Sequence, residues 1–188
     1  MARLRSPEKR RAILEAAVVE IADAGLGAAT AKIAARAGVA EGTLFTYFAN
    51  KDELLNELYV ELKLEVYERL NTAFPHSASL ERRAWHVWSS SLNWSIEFPQ
   101  KRKVSLLLNL SAVVTPESRA RLAEQRTAID AMFAELGNRE ALRGLPAGYA
   151  AALMASVQEA TMDFIAKGVR QRKALVERGF ALFWRAVR

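Results

Sequence analysis

The sequence contains no cysteine among its 188 residues. Disulfide bonds, thiolate metal sites and cysteine nucleophiles are therefore excluded, and a reducing compartment, the cytoplasm, is the expected location. No apolar run reaches the roughly 18 residues that are needed to cross a bilayer, so no membrane-spanning segment is expected.

Catalytic patterns are also scarce. Only two histidines are present, His76 and His86, and neither stands in the H-E-x-x-H spacing of a metal site. The sequence has no glycine-rich phosphate loop and no G-x-S-x-G nucleophile motif. Glu159 and Asp163 would share one helix face and could bind a metal. Because no histidine is paired with them, a role on the polar surface or in a polar network is the better explanation. We therefore expect no enzymatic activity and no cofactor.

Strand signals are almost absent, whereas helical periodicity covers nearly the whole chain. The pattern predicts an all-α protein of about nine helices. Ser6-Pro7 marks the start of the first helix, and a long helix is expected from Lys51 to about Ala73. We divide the chain into an N-terminal helix-turn-helix head over residues 1–50 and a helical body over residues 51–188.

Positive charge is concentrated near both ends of the sequence. The chain carries 27 lysines and arginines against 21 acidic residues, a net charge of +6. Residues 1–11 contain five basic residues and one acidic residue beside the predicted head, where DNA phosphates would attract them. Residues 167–188 contain seven basic residues and one acidic residue. A solvated helix face and a further anion contact both stay open for this second cluster.

Residues 30–54 carry the most specific pattern of the chain. Ile33 lies on the inner face of one predicted helix, which Gly38 ends. Leu44, Phe45 and Phe48 have the spacing of the inner face of a second helix. A helix, a tight turn and a second helix form the unit that reads the major groove of DNA.

This stretch also has a family-specific form. Residues 42–54, GTLFTYFANKDEL, resemble the G-T-L-Y-x-Y-F-x-[SN]-K-[ED]-x-L signature of TetR/AcrR-family transcriptional regulators. Residues 33–39 match the I-A-x-x-A-G-V part of the same signature. Ala28-Ala29-Thr30 stands where the family commonly has Thr-Thr-Val, so only Thr30 can cap that helix or contact phosphate. The resemblance implies a DNA-binding head, a helical ligand-binding body and a homodimer.

A function follows from the resemblance. It implies a transcriptional regulator, a repressor that a small, largely apolar or aromatic effector releases from double-stranded DNA. A twofold-symmetric dimer would bind a palindromic operator. The alternative is a helical ligand-binding or scaffold protein that has lost DNA binding, which the departure at Ala28-Ala29 favours slightly.

The second helix of the unit supplies most of the expected DNA contacts. Its N-terminal residues would meet base edges, where Ala or Thr methyl groups contact thymine and Glu accepts from cytosine. Gly42 allows the helix to approach the groove closely. The resemblance implies phosphate contacts from the hydroxyls of Thr43 and Tyr47 and from the ammonium group of Lys51. The predicted DNA-binding residues are Arg3, Arg5, Thr30, Ala40, Glu41, Gly42, Thr43, Thr46, Tyr47 and Lys51.

The body contains clustered tryptophans and methionines. Small-molecule pockets are mostly apolar and aromatic with few polar groups, although the same residues could simply fill a helical core. The predicted effector-pocket residues are Trp85, Trp88, Leu92, Trp94, Leu106, Asn109, Leu110, Met154, Gln158 and Met162.

The last two predicted helices carry more apolar surface than two terminal helices would bury alone. The resemblance implies that they form a four-helix dimer interface. The predicted interface residues are Leu153, Val157, Phe164, Phe180, Phe183 and Trp184.

Overall fold

The computed structural model describes residues 6–168 and 170–188. These residues form ten α-helices and one 3-10 turn, and no strand occurs among them, which confirms the predicted all-α class. The helices are α1 (Pro7–Ala24), α2 (Thr30–Arg36), α3 (Glu41–Tyr47), α4 (Lys51–Asn71), α5 (Leu80–Glu97), α6 (Pro99–Asn109), α7 (Pro116–Ala120), α8 (Ala123–Gly137), α9 (Tyr149–Ala166) and α10 (Arg172–Val187); the 3-10 turn is Glu140–Leu142. None of the described helices is long and apolar enough to cross a membrane.

Helix α1 begins and ends as its sequence predicts. The Ser6 side chain accepts a hydrogen bond from the Lys9 backbone N–H at 3.3 Å, and Pro7 occupies the first turn. Gly25 ends the helix with φ +74, a backbone conformation that favours glycine. These local signals need no tertiary contact to act, so the sequence alone located them.

Helices α2 and α3 form the helix-turn-helix unit around Gly38, whose φ is +69. Ile33, Leu44 and Phe48 are buried, as the periodicity predicts. Phe45 is 41% exposed, so its assignment to the inner face was wrong. A helix of seven residues is two turns long, and Leu44 and Phe48, four residues apart, already fill its buried stripe.

One expected helix is divided in two. The cap at Thr115 predicts a single helix that ends near Gly137, and the Thr115 side chain does accept from the Ser118 N–H. The helical hydrogen bonding is interrupted after α7, where the Leu122 N–H donates to the Arg119 carbonyl, three residues back, at 3.3 Å. Leu122 is buried at this break, so tertiary packing rather than a breaker residue ends α7.

The chain forms two compact units. Among the described residues, one unit contains residues 6–65 together with Phe98–Ala123, and the other contains Val66–Glu97 together with residues 124–168 and 170–188. In the first unit the Asn56 side chain donates to the Val113 carbonyl at 2.8 Å and accepts from the Thr115 N–H at 2.9 Å. This grouping divides the long helix after Glu65, whereas the sequence suggested a boundary at residue 50.

The second unit is built around Trp88 of α5, which is completely buried. Its indole N–H donates to the Val176 carbonyl at 3.0 Å, so the polar group of this large ring is satisfied. Gly179 of α10 lies so close that a Cβ there would be 2.8 Å from Thr161 Oγ1 and 2.9 Å from Trp88 Cζ2. Helices α5, α9 and α10 therefore meet at a point where only glycine fits.

Candidate functional site

Helix α3 has the two faces that a reading helix needs. Leu44 and Phe48 are buried, Thr43 and Tyr47 are half-buried at its edge, and Ala40 precedes its exposed N-terminal end. The other exposed residues of the predicted contact set on this helix are Glu41, Gly42 and Thr46. All the predicted base-contacting residues on and just before this helix are therefore exposed.

Two hydroxyls of the unit already have partners within the protein. Thr30 Oγ1 donates to Glu41 Oε1 at 2.6 Å, and Thr46 Oγ1 donates to the Thr43 carbonyl at 2.6 Å. The hydroxyl proton of Thr46 is therefore donated within its own helix. The side chain can still contact bases through its methyl group and can accept a hydrogen bond through its oxygen. Thr30, expected at a phosphate, instead points its donor at Glu41.

The Tyr47 hydroxyl accepts a hydrogen bond from the Ser6 backbone N–H at 2.9 Å. A phenol that accepts one hydrogen bond still has its own proton to donate, so a phosphate contact remains chemically possible. The bond also fixes the residue that follows the basic arm to the end of α3. The predicted arm contacts Arg3 and Arg5 lie outside the described residues.

Lys51 is the first residue of α4 and is half-buried. Asn50 Oδ1 accepts from the Glu53 N–H at 2.8 Å, and Glu53 Oε2 accepts from the Ala49 N–H at 2.5 Å. This reciprocal pair of bonds, similar to a capping box, confirms Asn50 as the predicted cap and fixes the backbone that carries Lys51.

Behind α3, a cluster of charges joins three helical segments of the first unit. Arg10 of α1 contacts Glu57 of α4 at 2.6 Å, and Arg121 after α7 bonds the same carboxylate. The Arg121 hydrogen bond, with help from Arg10, lowers the pKa of Glu57 below its ordinary value even though burial opposes this. The Arg10 guanidinium also lies 5.8 Å from the centre of the Phe48 ring. Arg10 thus supports the packing behind α3.

Several predicted pocket residues come together in the second unit. Trp88, Leu92, Met154 and Met162 belong to one buried core, against which Trp85 packs. The Trp85 ring meets that of Phe180 edge-on at 5.0 Å between centroids. Gln158 Nε2 donates to the Trp88 carbonyl at 3.3 Å. Trp94 is also buried. Trp85, Trp88, Leu92 and Met162 therefore contribute to the core of this unit.

A cavity of about 230 Å³ lies in the same unit. Of the predicted residues, Met154 and Gln158 line it. Sequence analysis missed the lining residues that α4 and α8 contribute, among them Leu70 and Phe133. The full lining is Val66, Tyr67, Leu70, Val87, Ser91, Arg126, Ile129, Asp130, Phe133, Ala151, Met154 and Gln158.

A second cavity of about 500 Å³ adjoins the first, because Arg126, Asp130, Phe133 and Ala151 line both. It extends along the end of α8, the following loop and the start of α9, up to Tyr149. Arg126 and Asp130 are the charged lining residues of either cavity, and they pair at 3.1 Å. Both cavities are therefore lined mainly by apolar side chains, together with the Arg126–Asp130 ion pair.

The remaining predicted pocket residues belong to the first unit. Leu106 is half-buried, Asn109 is exposed and Leu110 is 90% exposed. Asn109 and Leu110 lie at the end of α6, where the chain leaves the helix. Among the described residues no group of three His, Asp or Glu side chains could hold a metal ion.

The predicted dimer residues divide into two groups. Phe180 and Phe183 are buried in the core of their own chain, because α10 turns this side toward α5 and Trp88. They are corrected to core residues. Leu153, Val157 and Trp184 are half-buried, and Phe164 is 53% exposed. The predicted interface set did not include Leu182, which is 57% exposed on α10.

Comparisons with known proteins agree with this geometry. Residues 13–58 match the family model described as bacterial regulatory proteins, tetR family. The fatty acid metabolism regulator protein of Bacillus subtilis is 36% identical over 72 residues, a match that spans 38% of this chain and 37% of that relative.

Solved structures are similar along nearly the whole chain. A TetR-family transcription regulator from Marinobacter aquaeolei VT8 is 25% identical with a TM-score of 0.81, over 96% of this chain and 95% of that one. The regulator FadR from Bacillus subtilis, solved in complex with stearoyl-CoA, shares the fold with a TM-score of 0.69 at 23% identity, over 94% of this chain and 97% of that one.

Proposed function

We propose that this chain, whose residues 13–58 match the tetR family model, is a DNA-binding transcriptional regulator that acts as a homodimeric repressor. A small, largely apolar effector releases it from a palindromic operator. The observation that carries the proposal is the exposed face of α3. Buried Leu44 and Phe48 hold this helix against the rest of its unit, and the hydroxyls of Thr43 and Tyr47 at its edge can bind phosphates. Such a helix meets bases with its N-terminal residues and phosphates with its edges.

Binding to DNA requires cations near the reading helix. Lys51 lies at the start of α4, and the basic residues of the N-terminal arm precede Ser6, whose N–H bonds Tyr47. We assign Thr43, Tyr47 and Lys51 to the phosphates and the arm to the adjacent groove or backbone. Because these contacts are electrostatic, affinity falls steeply as salt rises.

The effector is assigned to the paired cavities of the second unit. Their walls are mainly aliphatic and aromatic, which suits an apolar ligand, and Ser91 and Gln158, together with the Arg126–Asp130 pair, supply the few polar groups that orient one. The inner space of about 230 Å³ is small for a ligand, and the adjoining 500 Å³ provides the missing volume. The stearoyl-CoA complex of FadR is an example of an apolar chain bound by this fold.

The dimer is assigned to the exposed sides of α9 and α10, which pack against each other in one chain. This surface combines small residues with large exposed apolar ones, a composition that marks an association surface. Its exposed apolar residues include Ala152, Ala155, Ala160, Phe164, Ala181 and Leu182.

The experiment that tests the proposal has two steps. The full-length protein is first used to select duplexes from a random DNA pool, and the recovered site should be palindromic. Decanoate and an acridine dye are then titrated against the complex, with tryptophan fluorescence as the binding signal. We expect a repressor of this kind to bind one of the two compounds and to release the DNA duplex over the same range of compound concentrations. Compound binding without any DNA selection would indicate a ligand-binding protein that has lost DNA binding.

A further inference from the structure

One hydrogen bond joins the two helices of the helix-turn-helix unit on their exposed side. Thr30 is the first residue of α2 and Glu41 is the first residue of α3. The hydroxyl of Thr30 donates to Glu41 Oε1 at 2.6 Å, and the Glu41 side chain is exposed. Hydroxyl-to-carboxylate bonds of this length are charge-assisted and stronger than neutral ones. The bond therefore restricts the rotation of the Glu41 carboxylate.

A carboxylate on a surface that faces DNA carries a cost. The phosphates repel it, so it opposes the electrostatic attraction that supplies non-specific binding. In the major groove it recovers free energy mainly by accepting from the amino group on cytosine N4. A glutamate at this position thus acts against sequences that lack a cytosine there, as well as for those that have one.

The neighbours of Glu41 have little ability to read bases by hydrogen bonds. Ala40 and Gly42 have no polar side-chain atom, and Thr46 donates to the Thr43 carbonyl. Within α3, Glu41 is therefore the charged acceptor at the end that meets base edges. Thr30 uses Oε1 of this carboxylate, which leaves Oε2 to accept from a base.

We propose that Glu41 selects a cytosine in each half-site, and that Thr30 is the positioning residue that aims its carboxylate. The inference rests on the DNA binding proposed above. It assigns Thr30 to a base-reading pair in place of the phosphate contact that its sequence position suggests.

The test uses the operator selected by the wild-type protein. Every base pair of the half-site is replaced in turn, and affinities are measured by fluorescence anisotropy at one fixed salt concentration. The wild type should prefer cytosine at one position by about fivefold or more. Glu41→Gln should move that preference toward adenine, because a side-chain amide pairs with adenine N6 and N7.

Thr30 is tested with a matched pair of variants. Thr30→Val keeps the shape of the side chain but has no donor, and it should lose most of the cytosine preference. Thr30→Ser keeps the hydroxyl and should restore the preference. Melting temperatures of both variants report separately on any contribution of the bond to stability.

Each outcome decides the proposal. If Thr30→Val melts earlier but keeps the cytosine preference, the bond only ties α2 to α3 and the positioning role is overturned. A selected operator at which Glu41→Gln changes no base preference overturns the cytosine assignment while leaving the proposed regulator intact. If the wild type selects no duplex at all, the proposed function and this inference fail together.

Discussion

Tyr47 shows how one hydroxyl serves both the fold and the proposed DNA contact. Its oxygen accepts from the Ser6 N–H at 2.9 Å, which holds the root of the basic arm against the end of α3. Its proton is still available to a phosphate oxygen. Loss of the hydroxyl should therefore remove a phosphate contact and release the arm at the same time.

For the variant Tyr47→Phe we predict an affinity loss of about five- to tenfold that is the same for every DNA sequence, because phosphate contacts carry no base information. Fluorescence anisotropy against the selected operator and against a scrambled duplex measures both affinities. The matched control is Tyr149→Phe, an exposed tyrosine in the other unit, which should bind both duplexes as the wild type does. A loss on the operator alone would contradict the phosphate role.

Gly179 is a second position where one residue decides the local structure. A Cβ there would meet Trp88 Cζ2 at 2.9 Å and Thr161 Oγ1 at 2.8 Å, and both neighbours are buried. Gly179→Ala should lower the free energy of unfolding by about 1–3 kcal/mol, as overpacking does. Gly137→Ala, whose Cβ meets nothing within 4 Å, is the control. Equal urea midpoints for the two variants would show that the three helices adjust at no cost.

Residue roles were predictable from sequence where they depend on near neighbours in the chain. The caps at Ser6 and Asn50 follow from local hydrogen bonding, and the structure confirms both. Phe45 and Phe180 could not be assigned in this way. Whether an apolar side chain is covered by its own chain depends on which helices pack beside it, and periodicity does not contain that information.

Among the helices, α4 links the helix-turn-helix unit to the segment that follows α6. Glu57 bonds both Arg10 and Arg121, and Asn56 bonds the backbone around Thr115. All these groups lie within the first unit, which explains why α6 and α7 group with the helix-turn-helix. A change in the segment after α6 would therefore be felt at α1 and α4.

The ion cluster predicts a pH-dependent contribution to stability. Because the folded-state pKa of Glu57 lies below its ordinary value of 4.5, its contribution is complete above that pH and is lost as the pH falls through the lowered pKa. Glu57→Gln should cost about 1–2 kcal/mol at pH 7, and the difference from wild type should shrink in acid.

Chemical denaturation at pH 7 and at stepwise lower pH measures this difference. Glu15→Gln, an exposed carboxylate on α1, should give the wild-type stability at each pH. A Glu57→Gln deficit that stays constant as the pH falls would mean that the cluster does not depend on the ionised carboxylate.

Element type was easier to predict than element boundaries. The long helix from Lys51 ends at Asn71, close to the expected Ala73, because Pro75 and the loss of periodicity mark its end. The break between α7 and α8 has no such marker, and buried Leu122 occupies it. The grouping of residues 98–123 with the reading unit likewise depends on contacts between residues far apart in sequence.

In the whole molecule, the proposed binding to a palindromic operator requires two copies of the chain. Leu182 is 57% exposed on α10 and lies on the surface assigned to the partner. Leu182→Glu adds a charge to each side of the proposed symmetric interface, so the dimer should weaken strongly. Light scattering after size-exclusion chromatography should show a monomer, and operator binding should fall because half-sites are no longer read together.

The control is Leu110→Glu, which adds the same charge at a side chain that is 90% exposed in the other unit. That variant should remain dimeric. If Leu182→Glu also stays dimeric, the interface lies elsewhere on the molecule.

We expect the exposed face of α3 and the charges beside it to bind duplex DNA. A titration of the selected operator at salt concentrations from about 50 to 200 mM tests it most directly. For two subunits that each use several phosphate contacts, the logarithm of affinity should fall linearly with the logarithm of salt, by about three orders of magnitude over this range. Binding that is absent, or that hardly changes with salt, would contradict the account.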